Sequence, residues 1–207
     1  MKKILLGVAA SALCFTAGAQ EHGGLMDLLH GTYNGGGLGR AAISDYCQTG
    51  AHICNEQRDL AFKVFAGMRL TDNLGAEVGY ISFGRIRALS QPNGSSSLYE
   101  RTTRTNGFLF DLAPVYRVDQ NISLVGRVGL ARMHVEGSDG GVNFRESKTS
   151  PHLGAAFNYK FREFLPSMLL PMMNGINVEI GWDTVKMKYL GSEHWYNMVS
   201  MGFGAEF

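Results

Sequence analysis

The last nine residues alternate without a break. Val199, Met201, Phe203, Ala205 and Phe207 are apolar on one parity, and Ser200, Gly202, Gly204 and Glu206 are small or polar on the other. A strand with one greasy face and one small or polar face is ordinary in a soluble sandwich, but there it seldom forms the very end of the chain with an aromatic as the final residue. In a transmembrane β-barrel it is expected. Such a strand demands a complete set of similar strands, because only closure removes the unpaired edges that lipid cannot satisfy.

Period-two alternation recurs along the chain and predicts strands over 31–41, 60–70, 74–86, 104–118, 122–135, 150–162, 175–189 and 196–207, an even set of eight that can close. Phe62, Val64, Ala66, Met68 and Leu70 oppose Lys63, Phe65, Gly67 and Arg69. Leu153, Ala155, Phe157, Tyr159 and Phe161 oppose His152, Gly154, Ala156, Asn158 and Lys160. Ile176, Val178, Ile180, Trp182 and Thr184 oppose Asn177, Glu179, Gly181 and Asp183. A half-buried soluble sheet alternates too, but its outer face is rich in Lys, Glu and Thr, whereas here the second parity is mostly Gly, Ala and isolated charges. The 27 glycines against 5 prolines agree with tightly turned β structure. Aromatics gather towards strand ends at Tyr116, Tyr159, Phe161, Trp195, Tyr196 and Phe207, where an interfacial girdle belongs. The predicted fold is all-β, an eight-stranded antiparallel up-and-down transmembrane barrel with apolar residues out and polar residues in. Pro114 lies inside the fourth strand and predicts a bulge or local break. The glycine-rich first strand leaves its register weakly specified.

The N-terminus reads as a secretory leader: Lys2 and Lys3, an apolar run from Ile4 to about Phe15, then Ala17-Gly18-Ala19. The expected division is a signal peptide at 1–19 and a barrel domain at 20–207. Loss of Lys2 and Lys3 takes the formal net charge from +1 to about −1, which gives no reason to expect nucleic acid as a partner. No later run of eighteen apolar residues supplies a transmembrane helix. In an oxidising compartment Cys47 and Cys54 can close a short polar loop, worth roughly 2–3 kcal/mol by chain entropy. His52 between them makes a poor metal set.

Connections alternate between short and long. Thr71-Asp72-Asn73 and Asp119-Gln120-Asn121 are tight turns, while 42–59, 87–103 and 136–149 are long and polar. Short periplasmic turns with longer outer loops are the outer-membrane arrangement, which puts both termini in the periplasm. Residues 164–173, apolar with Pro166 and Pro171, break the pattern, and rim packing is the expected account.

The stretches FKVFAGMRLTDNLGAEVGYISFGRIR and VYRVDQNISLVGRVGLAR, followed by INVEIGW and YNMVSMGFGAEF, resemble successive strands of the OmpA-like transmembrane domain and its small outer-membrane barrel relatives, over most of residues 31–207. The resemblance implies a Gram-negative outer-membrane location. It also implies insertion by the barrel assembly machinery, with Phe203 and Phe207 in the terminal assembly signal. It further implies a lumenal carboxylate, matched by Glu77, paired with a basic residue, matched by Arg127. The family's lumenal lysine falls near Ala113 and its seventh-strand arginine at Glu179, so the pairing must differ here. The peptidoglycan-binding domain of full-length OmpA has no counterpart in the chain.

Parity turns Lys63, Arg69, Glu77, Asp111, Arg117, Arg127, Lys160, Glu179 and Asp183 inward. A plugged, mutually neutralised lumen is the expected state, because buried charges need partners and eight strands leave room for little beyond side chains. A narrow ion or small-solute pore with Glu77 and Arg127 at its constriction is the alternative. A lipid-modifying enzyme would use Ser150 and His152, with Glu136 or Glu146 to orient the imidazole. The motifs of such enzymes are not visible, so neither catalysis nor a cofactor is expected. His134, His152 and His194 are the one conceivable metal cluster, and solvated loop histidines are the plainer reading. The remaining role is structural and surface-directed, through loops containing Ser95, Ser96 and Ser97 and the arginines Arg101, Arg104 and Arg145. The partners expected are outer-membrane lipids and lipopolysaccharide, with a host or surface ligand as a further possibility.

Overall fold

The computed structural model describes residues 31–44, 53–91, 99–139, 141–161, 175–189 and 192–207. The leader, Cys47, Ser95 to Ser97 and residues 164–173 lie outside them. Cys54 is described only through its backbone, opposite Ser90.

Nine strands follow in order: β1 (Thr32–Ile43), β2 (Ile53–Arg58), β3 (Leu60–Thr71), β4 (Leu74–Gln91), β5 (Tyr99–Arg117), β6 (Ile122–Asp139), β7 (Val142–Phe161), β8 (Gly175–Tyr189) and β9 (Ser192–Glu206). β2 and β3 meet β4 in one register, with Arg58 opposite Ile86 and Phe62 opposite Ser82, so they are one wall strand interrupted at Asp59. Eight wall strands result. Each is antiparallel to its neighbours, and β1 pairs with β9 from Tyr33–Glu206 to Ile43–Tyr196 to close the ring.

Closure at this seam depends on glycine. Gly202 faces Gly37, and a Cβ at 202 would overlap the Gly36 carbonyl oxygen. Gly202→Val is therefore expected to reduce several-fold the fraction of chain that migrates as a compact, heat-modifiable band on an unheated gel. A wild-type proportion of that band would show that the seam tolerates a side chain.

The outward face matches the predicted alternation. Phe62, Val78, Phe110, Leu130, Ile180, Met201 and Phe203 are exposed, as a lipid-facing band requires. The inward face does not match it throughout. On the long-hairpin half the interior is an apolar core of Ile81, Phe83, Ile86, Met133, Val135, Val185, Met187, Tyr196 and Met198. Tyr196, expected in the aromatic girdle, is buried in this core with its ring centroid 5.3 Å from that of Phe83. Its neighbour Trp195 is the one that faces out. A bulge makes the apolar half possible: the β4–β5 register shifts between Ser82 and Gly84, Gly84 takes a φ of 75°, and the inward parity changes from Glu77 and Ile81 to Ile86 and Ala88.

Pro114 produces no bulge. β5 runs through it, but the ladder to β6 lapses between Leu112–Val128 and Val115–Val125 and resumes in the same register. Most of the predicted long loops prove to be strand as well. β4 extends to Gln91, β5 begins at Tyr99, and β6 and β7 pair as far as Asp139–Val142, so 136–149 is a hairpin. The wall opens beyond the core, because β7 pairs with β8 only from His152 to Phe161. Among the described residues Val142–Pro151 therefore has a strand on one side alone.

Candidate functional site: the barrel lumen

Below the apolar core, towards the short turns, the inward positions turn charged, and the strand spacing brings side chains from across the ring together. Arg127 on β6 donates from Nε to Glu77 Oε2 on β4 at 2.7 Å and from Nη2 to Glu179 Oε2 on β8 at 2.8 Å. Tyr33 on β1 donates to the other Glu77 oxygen at 3.1 Å. Lys63 on β3 holds both oxygens of Asp183 on β8, at 2.7 and 3.0 Å, and lies 3.6 Å from Glu179. His152 on β7 hydrogen-bonds through Nδ1 to Asp111 on β5 at 2.8 Å, with Nε2 3.3 Å from Asp183. Seven of the eight wall strands thus contribute to one layer, with β9 the exception.

This layer is dry. Lys63 is 2% exposed, Arg127 3%, and Asp183 and His152 0%. Ions so placed are retained only when each is neutralised and hydrogen-bonded. Four carboxylates, those of Glu77, Asp111, Glu179 and Asp183, face two permanent cations, and His152 sits between the two aspartates that Arg127 does not hold. The guanidinium carbon of Arg127 also lies 4.8 Å from the Phe65 ring centroid, a cation–π contact.

A cavity of about 600 Å³ lies between this layer and the short-turn end, lined among others by Tyr33, Arg69, Arg117, Lys160 and Glu206. Arg69 and Lys160 share Glu206, with Arg69 at 3.0 Å. Arg69 and Arg117 stand at the mouth and are exposed, not within the buried layer where parity alone would put them.

The three histidines considered as a metal cluster are separated. His134 faces outward between Ser147 and Arg145, each at 2.8 Å. His194 meets the Ser44 carbonyl at 3.3 Å, and His152 is in the lumen. No group of three or more His, Cys, Asp or Glu side chains suited to a metal occurs among the described residues. Ser150 and His152 both point inward and are buried, whereas Glu136 and Glu146 lie on the β6–β7 hairpin beyond the core. His152 was the residue whose lumenal role parity alone left unread. It shares the inward parity of Lys160 and Asn158, and that was the available signal.

Among curated proteins none matches the chain. Solved structures do. Ail, the attachment invasion locus protein of Yersinia pestis, superposes with a TM-score of 0.51 at 15% identity over 86% of this chain and 99% of that one. The N-terminal β-barrel domain of OprF from Pseudomonas aeruginosa gives 0.50 at 14% identity over 86% and 98%. At these identities the likeness concerns the fold, which in both is an outer-membrane barrel. The sequence profile of the outer membrane protein beta-barrel domain matches residues 7–207, almost the whole chain, and the protein belongs to that family of the outer membrane.

Proposed function

We propose that the protein is a closed outer-membrane barrel with a structural and surface-directed role, the hairpins beyond the apolar core facing outside the cell. One observation carries the reading: two successive layers fill the lumen, an ion-paired layer and an apolar core, each with side chains at or near zero exposure. An ion crossing the barrel would have to break the first and dehydrate in the second. The cavity at the short-turn end gives the pore reading its foothold, but it supplies only half of a path. The catalytic reading gains little from His152, whose Nδ1 is held by Asp111 and whose Nε2 lies 3.3 Å from Asp183.

Planar-bilayer recording tests the proposal. A silent bilayer is expected from the folded wild type. A reproducible conductance step that changes on Glu77→Ala would overturn the closed barrel and install the narrow pore in its place.

A further inference from the structure

The outward face of β4 to β7, just beyond the lipid band, gathers arginine. Arg85 stands directly opposite Arg104, Arg104 opposite Glu136, and Glu136 opposite Arg145, a row that crosses four strands. At the usual strand spacing it is roughly 14–15 Å long. Arg132, four residues from Glu136 on the same face of β6, lies between this row and the membrane. All four arginines are exposed.

Like charges directly opposite in an antiparallel pair destabilise it, and the Arg85–Arg104 pair is offset by no ion pair among the described residues, although Asp59, whose N–H donates to the Arg85 carbonyl, stands on the other side of Arg85. Neither residue forms an ion pair or side-chain hydrogen bond among the described residues. Among the described residues Glu136 reaches Arg145 and His134 alone, each at 4.0 Å, and Glu100 lies four residues farther out along β5. The concentration of positive charge is local, because the whole chain is almost neutral. Immediately on the membrane side come exposed apolar side chains: Phe108, which pairs with Arg132, and then Phe110 and Leu130. A partner that meets both surfaces has negative oxygens above and acyl chains below.

We infer that Arg85, Arg104, Arg132 and Arg145 form a binding surface for the phosphates of an outer-leaflet phosphorylated glycolipid, whose acyl chains lie on Phe108, Phe110 and Leu130. Guanidinium forks suit phosphate oxygens. Thr149, which accepts from Arg132 Nη1 at 3.1 Å, and His134, which accepts from Arg145 Nε at 2.8 Å, hold two of the forks in place. The inference rests on the proposed orientation, with the β6–β7 hairpin outside the cell.

The full chain, folded in zwitterionic detergent, can be titrated with bisphosphorylated lipid A, with the same lipid stripped of phosphate, and with inorganic phosphate, bound molecules being counted by native mass spectrometry. The wild type is expected to retain the bisphosphorylated lipid about tenfold or more over the stripped one, and Arg85→Gln/Arg104→Gln/Arg132→Gln to lose that preference. Lys186→Gln/Lys188→Gln, also at the outer end but on β8, should keep it. Equal retention of both lipids, an unchanged triple variant, or displacement by millimolar inorganic phosphate would each overturn the lipid-headgroup site. Orientation is read separately from a Ser138→Cys variant without Cys47 and Cys54. Labelling on intact cells by an impermeant maleimide supports it, while no labelling would overturn the orientation, and the outer-leaflet assignment with it, even where lipid A binds in detergent.

Discussion

Replacing Arg127 by Met is expected to destabilise the folded barrel by about 3–5 kcal/mol, the usual cost of removing one partner from a buried ion pair. Both Glu77 and Glu179 depend on this guanidinium, at 2.7 and 2.8 Å, and both are buried, so neither recovers its full solvation when it is removed. Lys63 lies 3.6 Å from Glu179 but is already engaged by both oxygens of Asp183. Unfolding in detergent, followed through the fluorescence of Trp182 and Trp195, measures the loss. A second comparison isolates its cause: Arg127→Met combined with Glu77→Gln and Glu179→Gln should recover most of the stability, because the stranded charges are then gone. If the triple variant were as unstable as the single one, lost packing over Phe65 and not stranded charge would be responsible.

Phe83→Ala should cost about 3–5 kcal/mol, as large-to-small aromatic changes in packed cores do. Phe83 is fully buried, its ring is in contact with Tyr196, and it occupies the bulge that gives β4 its change of parity. The same variant separates the two layers of the plug. Truncation opens the apolar layer but leaves the ion-paired layer intact, so the bilayer is expected to stay silent despite the loss of stability. A channel appearing on Phe83→Ala alone would mean that the apolar core is the whole seal.

The fold was legible because lipid imposes one rule on every strand: the outer parity must be apolar whatever the lumen contains. That rule wrote the alternation of β3, β7, β8 and β9. It lapses where strands leave the bilayer. There Arg85, Arg104, Arg132 and Arg145 face outward while Ile86, Met133 and Val135 face inward. The contrast between faces reverses, so residues 87–103 and 136–149 read as polar loops although most are strand. The apolar half of the lumen was hidden for the same reason, and further by the Gly84 bulge, which moves the inward set onto the other parity. In the site, alternation marked the face that carries Lys63, Glu77, Asp111, Arg127, Glu179 and Asp183, but it could not choose partners across the ring. His152 finds Asp111 41 residues away, a separation that follows from the ring's curvature and leaves no local trace. In sequence its nearest chemical companion is Ser150, which suggests an enzyme where the structure has an ion network.

Beyond His152 the β7 backbone has, among the described residues, a neighbour on one side only, so past the apolar core the closed wall becomes an open sheet with a margin from Val142 to Pro151. In a crowded bilayer such a margin could zip onto the same margin of the next molecule. Arg145 and Lys148 lie on it, exposed, with Glu146 between them, so the margin carries a net positive charge and two copies approaching margin to margin repel. Charges along an unpaired edge are a guard against edge-to-edge pairing, so neighbouring barrels are expected to stay separate along this margin instead of fusing into a continuous sheet.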